Sequence, residues 1–131
     1  MRVVAAVTAD VQSRIQAILA GCDLRFVQSG SDLVRALDEA RCQVLIVEVH
    51  FNESVAVAAL TCVLARAETF PVVCVREVRT EEPGHVALNA LRMAVGGVVV
   101  RDFIDLLEHR DDESGNAQVR GRFERLLEER A

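Results

Sequence analysis

The chain has 131 residues, a formal net charge of −5, 51% hydrophobic and 27% charged residues, five Phe, and neither Trp nor Tyr. That length suits one domain with a real core, and the apolar content excludes intrinsic disorder. All fifteen cations are Arg, which excludes lysine chemistry, and an acidic chain without aromatic platforms is a poor direct binder of nucleic acid.

Residues 2–7 are apolar after Arg2 and read as a first strand. Asp10 is the expected N-cap of a helix whose apolar face is Val11, Ile15, Ile18 and Leu19, ended by Gly21. Residues 24–27 form a short second strand. Ser29-Gly30-Ser31 turns into a second helix lined by Leu33, Val34, Leu37 and Ala40. Residues 44–47 are an unbroken apolar run closed by Glu48, the pattern of a strand buried on both faces with a carboxylate at its rim. Asn52-Glu53-Ser54 breaks the chain before a third helix over residues 55–67, apolar nearly all round. Residues 71–75 form a fourth strand ending at Arg76. A polar loop with Pro83 leads to a fourth helix over residues 85–95. Gly96-Gly97 turns the chain into a fifth strand, residues 98–100, ending at Arg101. Residues 102–109 read as a short helix and 110–118 as a polar linker. Val119, Phe123, Leu126 and Leu127 then mark an amphipathic helix. That last helix either packs on the sheet as a fifth helix or extends to a partner.

Five βα repeats define an α/β fold. Right-handed crossovers give a flavodoxin-like, doubly wound sheet of five parallel strands in the order 2-1-3-4-5, with helices on both faces. Residues 1–109 make this domain and 110–131 the linker and C-terminal helix. The N-terminal apolar run is too short for a signal peptide and no stretch approaches the length of a membrane span, so a cytoplasmic protein is expected. Cys22, Cys42, Cys62 and Cys74 show no metal-ligand spacing and are expected as reduced, structural thiols. His50 lies two residues after Glu48 on the same side of the strand, but no third ligand accompanies the pair. His85 and His109 sit in polar surroundings. No metal or cofactor is expected.

With these elements in place, residues 43–49, 71–76 and 87–103 resemble the receiver domain of bacterial two-component response regulators, over roughly residues 2–107. The resemblance implies a phosphoacceptor carboxylate at Glu48, a metal-binding acidic pair after the first strand, a Ser or Thr ending the fourth strand and a Lys ending the fifth. The matching positions carry Thr8 and Ala9 followed by Asp10, then Arg76, then Arg101. Each functional position has changed. Magnesium wants oxygen ligands, mostly carboxylates, in octahedral geometry. Here the negative charges of Asp10 and Glu48 are cancelled by Arg76 and Arg101. Phosphoryl transfer without the metal loses its main stabiliser, and Glu48 is one methylene longer than Asp. The expected replacement is a fixed ion-pair cluster of Glu48 with Arg76 and Arg101, within about 4 Å.

The function expected is that of a degenerate pseudo-receiver, a non-enzymatic, phosphorylation-independent module of two-component phosphorelay signalling. It acts through protein–protein contacts, with homodimerisation expected on the face of the fourth helix (residues 86–95), the fifth strand (98–100) and the C-terminal helix. Two other readings remain open. One is a phosphorylation-competent receiver using Asp10 and Glu48. The other is a small flavodoxin-like enzyme or nucleotide-binding domain, against which the lack of a glycine-rich phosphate loop counts.

Overall fold

The computed structural model describes residues 1–39, 42–48, 71–76 and 100–130. The helices expected over 55–67 and 85–95, the Gly96-Gly97 turn, His50 and His85 lie outside the described residues. The elements run β1 (Arg2–Ala6), α1 (Ala9–Ile18), β2 (Asp23–Phe26), α2 (Gly30–Glu39), β3 (Val44–Glu48), β4 (Val72–Arg76), β5 (Val100–Asp105), a 3-10 turn (Leu106–Glu108) and α3 (Glu113–Arg130). The strands form one parallel sheet in the order β2-β1-β3-β4-β5, as expected. β3 is buried along its whole length, in keeping with its β-branched run at the sheet centre.

Strand alternation sorts the side chains onto two faces. Val3, Ala5, Val7, Val44, Ile46, Val73, Val75 and Ile104 join Val11, Ile15, Ile18, Val119 and Phe123 in one cluster. α1 and α3 therefore share one face of the sheet. Phe123 is fully buried there, worth about 1.5–3 kcal/mol of transfer free energy. On α2, Leu33, Ala36 and Leu37 are buried. Val34, expected on that inner face, is instead exposed.

Local chemistry sets the ends of the elements. Thr8, not Asp10, is the N-cap of α1, with extended backbone and no side-chain cap bond, and Asp10 sits in the first turn. A carboxylate there still meets the positive end of the helix dipole. Gly21 has φ +86, the left-handed conformation that ends a helix without a Cβ penalty. The Ser29 hydroxyl accepts from the Asp32 N–H at 3.2 Å and caps α2. Arg120 of α3 donates to the carbonyls of Ala20 (2.8 Å) and Ile18 (3.4 Å), closing the carbonyl end of α1.

The C-terminal third departs from the sequence reading. Residues 102–105 continue β5 instead of opening a helix, and Arg101 is its second residue instead of its end. Residues 113–118, read as linker, are the first turns of α3. Asp112 starts this helix: its Oδ1 accepts from the Gly115 N–H at 2.7 Å and its carbonyl from the Asn116 N–H at 2.9 Å. Helix α3 belongs to the same core as the sheet, through Val119, Phe123 and Leu126.

Candidate functional site

Parallel sheets of this kind present their sites beyond the carboxyl ends of the strands. At that edge stand Glu48 on β3, Arg76 on β4 and Asp105 on β5, with Thr8 just beyond β1. Glu48 is buried at 1% exposure. Its Oε2 accepts from the Thr8 N–H at 2.8 Å, tying the end of β3 to the N-cap of α1 in the β1–α1 turn. Its Oε1 is buried and has no hydrogen-bond partner among the described residues. Ala9 and Asp10 follow Thr8 into the exposed first turn of α1.

The cluster of Glu48 with both arginines does not form. Among the described residues no ion pair joins Glu48 to Arg76 or Arg101. The register explains why. Glu48 pairs with Val75, whose side chain lies in the α1 and α3 cluster. Glu48 therefore points to that face, while Arg76, one residue on, points to the other. Arg76 pairs in register with Asp105, and its Nη1 lies 3.7 Å from Asp105 Oδ2. The Arg76 Nε is buried without a hydrogen-bond partner among the described residues. Arg101 is elsewhere. The β4–β5 register shifts between Val72 and Val73, which oppose Val100 and Asp102, so Arg101 is the extra residue near the start of β5. It sits about 12 Å along the strand from the level of Arg76. Of the residues named from sequence, the structure brings Glu48 and Thr8 together, pairs Arg76 with the unforeseen Asp105, and separates Arg101 from them all.

Among the described residues these donors do not fit a hard divalent cation. Magnesium takes near-octahedral oxygen coordination. Glu48 offers one orphaned oxygen, its other being committed to the Thr8 N–H. Among the described residues no three His, Cys, Asp or Glu side chains converge as a metal site. Asp105 is likewise committed, its Oδ1 accepting from the Leu107 N–H at 3.0 Å. His109, the remaining described histidine, places Nδ1 3.3 Å from Gln118 Oε1. Among the described residues no disulfide joins Cys22, Cys42 and Cys74, and Cys42 Sγ lies 3.0 Å from the Val44 carbonyl.

Two arginine sites escaped the sequence reading. Arg14 of α1 is 5% exposed. It donates from Nη1 to the Leu106 carbonyl and from Nη2 to the His109 carbonyl, each at 2.7 Å, and from Nε to Asn116 Oδ1 at 3.3 Å. Arg122 of α3 grips Asp102 of β5 through Nε to Oδ2 (3.1 Å) and Nη2 to Oδ1, and also donates to the Phe103 carbonyl at 2.9 Å. A break in the apolar periodicity of α1 at position 14 was the available signal, but an Arg between Val11 and Ile15 reads equally well as solvated.

The same architecture recurs in solved structures. The signal receiver domain of an HD domain-containing protein from Pseudomonas fluorescens Pf-5 matches with TM-score 0.69 at 10% identity, over 98% of this chain and 97% of that one. A response regulator from Thermotoga maritima matches with TM-score 0.67 at 11% identity, over 98% of both chains. The response regulator domain of Thermotoga maritima CheB matches with TM-score 0.63 at 19% identity, over 98% of this chain and 94% of that one. No family model matches the chain, and no curated protein does. The chain has the fold of response-regulator receiver domains. No described helix is long and apolar enough to cross a membrane.

Proposed function

We propose that this chain is a degenerate receiver module of two-component signalling, cytoplasmic and non-enzymatic, acting through protein contacts without phosphoryl transfer. The observation that carries this reading is the state of Glu48. The carboxylate at the acceptor position of the fold is 1% exposed and bound to the Thr8 backbone. A phosphoryl acceptor needs an oxygen open to an incoming phosphodonor and a metal to absorb developing charge. Thr8 and Ala9 supply no carboxylate for that metal, and Asp10 lies in the exposed turn beyond them. The bond from Glu48 to Thr8 holds the β1–α1 turn in one arrangement, so the module presents a fixed surface. A second copy docking on residues 86–95, 98–100 and α3 is the partner arrangement we favour, by analogy of fold alone.

The rival, a phosphorylation-competent receiver, draws on the orphaned Glu48 Oε1. Incubation with acetyl phosphate and Mg2+, followed by intact mass spectrometry, separates the two. The expected result is no phosphoryl adduct. A stoichiometric adduct that Glu48→Gln abolishes would establish the rival.

A further inference from the structure

We draw no further inference here: the strongest candidate, the groove between α1 and α3 with Ala17, Ile18 and Ala117 on its floor and Asp112 and Glu113 at its mouth, has acidic residues that belong to the start of α3 itself, and nothing in the structure shows what covers it.

Discussion

Replacing Arg14 with Met is expected to lower the stability of the fold by about 3 kcal/mol, the range for stripping one partner from a buried charged network. The side chain is buried on α1 and donates to two backbone carbonyls, Leu106 and His109, at 2.7 Å each. A third bond reaches Asn116 on α3, and Nε lies 3.9 Å from Asp111. One guanidinium therefore joins α1 to the exit of β5 and the entry of α3. Met fills much of the volume but removes these donors: among the described residues the Leu106 carbonyl keeps only the His109 N–H at 3.2 Å, and the His109 carbonyl loses the Arg14 guanidinium, so part of the desolvation cost of these groups returns. For a domain of this size the loss corresponds to a fall in Tm of about 10 °C. Arg14→Lys is expected to recover only part of it, because one ammonium cannot reproduce the planar fork. A melting temperature within a degree or two of wild type for Arg14→Met would show that the network contributes nothing net.

Gly115→Ala is expected to destabilise, against the sense of helix propensity. In an exposed helix interior, Ala is better than Gly by about 1 kcal/mol. At this position a Cβ would overlap the Arg110 carbonyl oxygen and lie 2.9 Å from its carbonyl carbon. The obstacle is backbone and cannot rotate away. The Arg110 segment must shift, disturbing the Asp112 cap that holds the Gly115 N–H and the Asp111 carboxylate that takes the Asn116 amide. Overpacking of this kind costs about 1–3 kcal/mol, so chemical denaturation should show a lower midpoint for the variant. A higher midpoint would mean that the start of α3 is governed by propensity and not by this contact.

β3 was legible because an unbroken run of Val44 to Val47 has few alternatives to a buried parallel strand, and α1 because Val11, Ile15, Ile18 and Leu19 keep helical spacing. The β5 region was not. Asp102 and Asp105 interrupt the apolar pattern, and the apolar spacing of Phe103, Ile104, Leu106 and Leu107 suits a helix as readily as a strand. What decides is tertiary: Arg122 and Arg76 supply counter-charges from elements distant in sequence. The start of α3 was hidden for a related reason, since Asp112, Ser114, Gly115 and Asn116 have the composition of a linker. Only the close approach of Arg110 shows why a Gly is needed there.

At the candidate site, the sequence placed Glu48 at the carboxyl edge, where the structure has it. The expected arginine partners are kept from it by the pleat, which formal charge does not register. Glu48 and Arg76 belong to opposite faces, a distinction set by the β3–β4 register, and Arg101 was displaced by an irregularity that no composition signals. The bond that does form, from the Thr8 N–H to Glu48, involves a backbone donor and so has no side-chain signature.

In the proposed module the Glu48 edge is fixed and does not switch. Titration of the full chain with Mg2+ in the presence of beryllofluoride, followed at the Thr8 amide by nuclear magnetic resonance, tests it most directly. The Thr8 resonance is expected to stay in place through millimolar metal, with no saturable change. A saturable shift of that amide, lost on chelation of the metal, would contradict the claim and make the Glu48 carboxylate an acceptor site.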